Sequence, residues 1–233
     1  MDIISCFARY LVDAQEKNGS WRVPKGVEGL SGQTLSGFAH GVAGIVYFLA
    51  LCSSRLGLTF VEESFIKGAE WLLRTAHAAD ANTLEWSYSD TMPERWRWWC
   101  HGSPGIALAF LEVFRATGDH SYADIARRAL NIHDDDTRAA NLSVCHGLTG
   151  LGEIYLEAAR VLDNDYWLAR AKAIASTLLA LGRPGAYGHL TWMVEDLHVS
   201  TADLMIGSAG VLHFLARVHC GGQRLGFPLL VDR

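Results

Sequence analysis

The sequence predicts an all-α protein built from successive pairs of helices. One observation is a glycine word written four times: Ala39-His40-Gly41-Val42-Ala43-Gly44, Cys100-His101-Gly102-Ser103-Pro104-Gly105, Cys145-His146-Gly147-Leu148-Thr149-Gly150 and Met205-Ile206-Gly207-Ser208-Ala209-Gly210. Each word opens an apolar run, IVYFLALC, IALAFLEVF, LGEIYLEAARVL and VLHFLARV in turn. Between the runs lie segments with apolar residues at three- and four-residue intervals, the period of an amphipathic helix, and strict strand-like alternation is scarce.

Taken in order, the first helix is expected from Ile3 to Ala14, ahead of the first word. Amphipathic helices follow from Val61 to Ala76, from Tyr122 to Ile132 and from Trp167 to Leu181. Pro104 suits an early helical position, where its missing N–H is no loss, so a helix should begin just after Gly102. Asp134-Asp135-Asp136 follows a helix and reads as a solvated turn rather than a metal-binding run. His189 and His198 fall in an irregular stretch and carry no readable role. The words are spaced unevenly, about 45 to 61 residues apart, so the loops vary while the helix pair stays. An apolar inner helix alternating with an amphipathic outer one suggests a toroid or solenoid of helical pairs, with the words together at one end. Their glycines would let backbone approach backbone there, or serve as ordinary turn residues.

With 233 residues, 50% hydrophobic and only 19% charged, the chain can bury a sizeable core as one domain over residues 1–233. A net charge of -5 with no long basic run leaves no electrostatic footprint for nucleic acid. The N-terminus lacks a basic leader, and no window is long and apolar enough for a transmembrane segment, which reads as a cytoplasmic protein.

Five cysteines, an odd number spread along the chain, do not resemble a disulfide framework. Cys6, Cys52 and Cys220 lie in apolar helical patterns and are expected to be buried as small hydrophobes. Cys100, Cys145 and His146 could supply three ligands to a zinc ion from loops that feed helix starts. No C-x-x-C pair or spaced histidine pair supports a closed structural site, and thiols buried at helix starts remain the competing reading. His40 and His101 occupy the same place in their words as His146, so the pattern does not choose among the histidines.

WCHGSPG, VCHGLTG, GFAHGVAG and DLMIGSAG together resemble the glycine-rich words of the LanC-like superfamily, which includes lanthipeptide cyclases, the cyclase domains of larger synthetases and eukaryotic LanC-like proteins. The resemblance covers essentially the whole chain. It implies an α/α toroid with a central Zn2+ held by Cys100, Cys145 and His146. It also implies about seven helical pairs, of which about four are present here. The C-terminal GFPLLVD resembles the family's natural end, so the absent pairs are expected to be N-terminal, together with an active-site aspartate.

The implied reaction is conjugate addition of a peptide cysteine to dehydroalanine or dehydrobutyrine, closing a lanthionine or methyllanthionine ring. The partners implied are a dehydrated precursor peptide and an N-terminal half or a dehydratase or kinase-like region. His40 is the expected proton donor, with His101 an accessory candidate. Arg97, or Arg95, is expected to orient an enolate or carboxylate. Trp98 and Trp99 are expected to pack. The alternatives are a zinc-containing module that binds glutathione or another thiol, and an inactive synthetase fragment. A carbohydrate-acting toroid would want paired carboxylates near the helix starts, and none stand there.

Overall fold

The computed structural model describes residues 2–131, 141–185, 188–195, 198–221 and 226–227. These form two compact units, residues 1–134 and 135–233. The first holds α1 (Ile3–Asp13), α2 (Val42–Leu56), a single 3-10 turn (Thr59–Val61), α3 (Glu62–Arg74) and a short antiparallel hairpin of β1 (His77–Asp80) and β2 (Thr83–Glu85). It ends with α4 (Ser103–Thr117) and α5 (His120–Leu130). The second holds α6 (Leu148–Leu162), α7 (Asp165–Leu181), a hairpin of β3 (Arg183–Pro184) and β4 (Leu190–Thr191), and α8 (Ser208–His219). The expected helices are all present, displaced by at most two residues where both ends are described. The acid run Asp134–Asp136 and most of GFPLLVD lie outside the described residues.

Inner and outer helices begin differently. The outer α5 and α7 start on Asp119 and Asn164, whose side chains accept the backbone N–H of Ser121 and Tyr166. The inner α2, α4, α6 and α8 start on Gly41, Gly102, Gly147 and Gly207, which have no side chain to cap with. The orphan N–H groups are satisfied by the loop ahead of the word. Val42 donates to the Leu35 carbonyl at 2.9 Å, Leu148 to Asn141 at 2.8 Å and Ser208 to Thr201 at 2.8 Å. That fold-back sets the glycine requirement. A Cβ on Gly105 or Gly210 would collide with the carbonyl oxygen six residues earlier, of Trp99 and Leu204 respectively. Gly102 adds a φ of 114°, where an L side chain is strained.

Within each unit, two words are tied by the same bond. Ala39 N–H donates to the Cys100 carbonyl at 3.0 Å, and Cys145 N–H donates to the Met205 carbonyl at 2.9 Å. In all four cases the residue stands two before the first glycine of its word. The outer helices are also closed alike. The indole N–H of Trp86 reaches the Leu72 carbonyl at 2.6 Å, and that of Trp192 reaches the Leu178 carbonyl at 2.7 Å, satisfying a carbonyl in the last turns of α3 and of α7.

In the first unit α2 packs on α3 and α4, and α4 on α5. In the second, α6 packs on α7 and α8. The inner helices are the core: residues 103–113 of α4 and 148–158 of α6 are buried without a break. Carboxylates buried on them are paired. Glu153 and Glu157 of α6 both bond Arg217 of α8, the latter at 2.6 Å, while His213 lies 2.9 Å from Glu153 and Arg160 2.5 Å from Glu157.

One expected burial does not occur. Cys6 is exposed, as are Ile3, Phe7 and Tyr10 on the same helix, and only Ala8 of α1 is fully buried. Periodicity identifies the residues that share a face and does not ensure that a neighbour covers it. Cys52 is buried and Cys220 half-buried. No described helix is long and apolar enough to cross a membrane.

Candidate metal centre and thiol site

The first unit supplies Cys100, the histidines His40 and His101, the arginines Arg95 and Arg97, and their supports. Cys100 is buried, and its carbonyl accepts the N–H groups of both Phe38 and Ala39 at 3.0 Å, which draws the first word onto the second. Gly37 is required by that approach: a Cβ there would lie 2.8 Å from the Cys100 carbonyl oxygen and 2.8 Å from His101 Nδ1. As a result the rings of His40 and His101 lie 5.5 Å apart, and Tyr88 stands 4.6 Å from the His101 ring on its other side. His40 is exposed and His101 half-buried.

Trp99 is buried against Phe38, with ring centroids 5.4 Å apart, in keeping with a packing role. Arg97 pairs across an isolated bridge with Gly102, and its guanidinium lies 3.5 Å from Glu85. Arg95 lies 3.2 Å from the other oxygen of the same carboxylate. Two guanidiniums thus share one buried anion, leaving a net positive charge on the chain leading into Cys100.

The second unit supplies Cys145 and His146, both half-buried. Ser143 Oγ accepts the His146 N–H at 3.0 Å, and the His146 Nε2 lies 3.0 Å from the Glu195 carboxylate. Burial by itself lowers the His146 pKa, but hydrogen bonds and charge from Cys145 and Glu195 outweigh it and leave the pKa raised. Glu85, Tyr88 and Glu195 were not among the sequence-derived candidates. Glu85 ends the short strand β2, Tyr88 and Glu195 stand in irregular segments, and they reach their partners 12, 13 and 49 positions away, so no local pattern marks them.

A profile of the lanthionine synthetase C-like proteins matches residues 1–231. The chain belongs to that family. Nisin cyclase has a similar structure, with a TM-score of 0.67 at 18% identity, over 95% of this chain and 57% of that one. The fold class is accordingly the all-helical α/α toroid class expected from the words. "Glutathione S-transferase LANCL1" of Danio rerio is 28% identical over 119 residues, 51% of this chain and 27% of that protein. The chain therefore spans little more than half the length of nisin cyclase, and its match to LANCL1 covers about a quarter of that protein.

Proposed function

We propose that this chain carries the zinc centre and thiol-activating residues of a lanthionine-forming cyclase. The observation that carries the reading is the donor set: the first unit offers Cys100 from the word that opens α4, and the second offers Cys145 and His146 from the word that opens α6. Two thiolates and one neutral imidazole suit zinc and leave a fourth position for a substrate sulfur. With that set a bound zinc would accept a further thiolate and keep it ionised at neutral pH, where a cysteine of pKa about 8.5 is mostly protonated.

The reaction adds a peptide S–H across the carbon–carbon double bond of dehydroalanine or dehydrobutyrine. Sulfur bonds to the β-carbon and the α-carbon takes a proton, with no net redox change. His40 supplies that proton, an exposed imidazole whose ring lies 5.5 Å from that of His101, the residue after Cys100. His101, braced between His40 and Tyr88, supports its orientation. Arg97, steadied by Glu85, offers its exposed guanidinium to the developing enolate or to a carboxylate of the peptide. Membership of one LanC-like domain, with partner segments completing it and a cytoplasmic setting, belongs to the same proposal.

A second reading has a specific observation behind it, the likeness to LANCL1, and takes glutathione as the thiol. The same zinc chemistry and the same cationic Arg95 and Arg97 serve a peptide with two carboxylates.

Metal analysis and thiol counting test the proposal. One zinc per chain is expected, mostly lost in Cys100→Ala and Cys145→Ala, weakened in His146→Ala and kept in His101→Ala. Stoichiometric zinc in both cysteine variants would sink the assignment. Mixed with a dehydrated, cysteine-containing peptide, the chain is expected to consume peptide thiols weakly or not at all alone, and to consume them once a complementing N-terminal LanC segment is added. His40→Asn should slow this by about 10²–10⁴-fold with zinc retained. Consumption of glutathione in preference to the peptide thiol would favour the second reading.

A further inference from the structure

The two units repeat one local plan, and the repeat isolates a carboxylate. Three residues past the capping indole, the chain runs beside the residue that stands six before the first glycine of a word. In the first unit these are Ser89 and Leu35, joined as an isolated bridge, and the Ser89 hydroxyl donates to Gln33 Oε1 at 2.9 Å. In the second they are Glu195 and Asn141, with the Asn141 amide donating to a Glu195 oxygen at 3.1 Å. The Glu195 carboxylate faces His146, its oxygens 3.0 Å from Nε2. His40 and His146 hold the same place in their words, so one plan sets a serine in the first unit where it sets a carboxylate in the second.

We propose that Glu195 is the outer partner that readies His146 as a metal ligand, accepting the Nε2–H and leaving the Nδ1 lone pair for the ion. The inference rests on the reading of His146 as a ligand. A neutral imidazole carries one N–H and one lone pair, so an acceptor at Nε2 places the proton there and the lone pair on Nδ1. A carboxylate on the far nitrogen also fixes the ring and makes the ligating nitrogen more basic. The carboxylate is itself held. Asn141 Oδ1 accepts the Ser143 N–H at 2.7 Å and its carbonyl accepts the Leu148 N–H at 2.8 Å, so Glu195 is anchored to the first turn of α6. The His146 and Glu195 side chains are 37% and 35% exposed, and an ion pair that wet contributes little to stability. Orientation is the effect it can have.

The test measures zinc affinity of the purified chain by competition with a chromophoric chelator, for the parent, Glu195→Ala, Glu195→Gln and Cys145→Ala. Glu195→Ala is expected to weaken zinc by about 10–100-fold. Glu195→Gln, whose amide oxygen still accepts from Nε2, should recover most of that loss. Nitrogen-15 spectra of the zinc-loaded parent should show His146 protonated on Nε2. If Glu195→Ala binds zinc as the parent does while Cys145→Ala loses it, Glu195 is a surface partner only and the inference fails alone. If Cys145→Ala also keeps its zinc, the metal reading fails and takes the inference with it. Should Glu195→Ala misfold by circular dichroism, the ring spectrum decides, and a proton on Nδ1 overturns the assignment.

Discussion

Replacing Gly105 with alanine sets helix propensity against packing, and the structure decides the sign. In an open helix the exchange stabilises by up to about 1 kcal/mol, because alanine loses less backbone entropy. Here the new Cβ would lie 2.8 Å from the Phe38 Cβ and 3.1 Å from the Trp99 carbonyl carbon, and it would collide with the Trp99 oxygen. Ordinary Cβ contacts begin at 3.4 Å, so Phe38 must give by about 0.6 Å and the backbone at Trp99 by more. Phe38 is also bound through its N–H to Cys100, so neither neighbour retreats without moving the thiol loop. Overpacking of this kind costs about 1–3 kcal/mol. Gly105→Ala is therefore expected to lower stability by about 1–2 kcal/mol and to weaken zinc binding through Cys100, the residue after Trp99. Equilibrium urea unfolding, paired with chelator competition on the same preparation, measures both. A variant as stable as the parent with unchanged zinc affinity would refute the claim that the word's second glycine is required by the fold-back of the loop.

Arg217→Met should destabilise by about 2–4 kcal/mol in the same unfolding assay, because it removes the buried cation that Glu153 and Glu157 share and leaves them to His213 and Arg160. A loss below about 1 kcal/mol would mean that His213 and Arg160 compensate the two carboxylates by themselves. Alkylation mapped by mass spectrometry at pH 8 should modify Cys6 readily and leave Cys52 intact. Burial pushes the Cys52 thiol up to about 11, so it stays protonated, and its reaction should rise only as pH approaches that value. Equal rates at pH 8 would contradict its burial. Trp192→Phe should cost about 1–3 kcal/mol, leaving the Leu178 carbonyl without its indole donor. An unchanged unfolding midpoint would show that another donor takes over.

Helix positions, the pairing of inner with outer helices and the three word-borne ligand candidates were legible in the sequence because each is local. An apolar stripe at helical spacing, a glycine word and Pro104 act within a turn or two of chain, and α4 duly begins on Gly102. The same reasoning misjudged Cys6, since a helical period defines a face of α1 without supplying what packs against it. It also could not tell the roles of His40 and His146 apart, because their words place them identically. What sets them apart in the structure is a neighbour, Glu195, 49 positions beyond His146 in a segment with no periodicity of its own. Likewise Glu153 and Arg217, charges set in apolar runs, become a buried pair only when α6 and α8 meet across 64 positions. The sequence by itself determined where backbone would coil and where it could approach backbone, since those depend on short-range sterics. Tertiary structure alone decided which ionisable groups share an environment, because hydrogen bonds and charge act over a few ångströms of space regardless of distance along the chain.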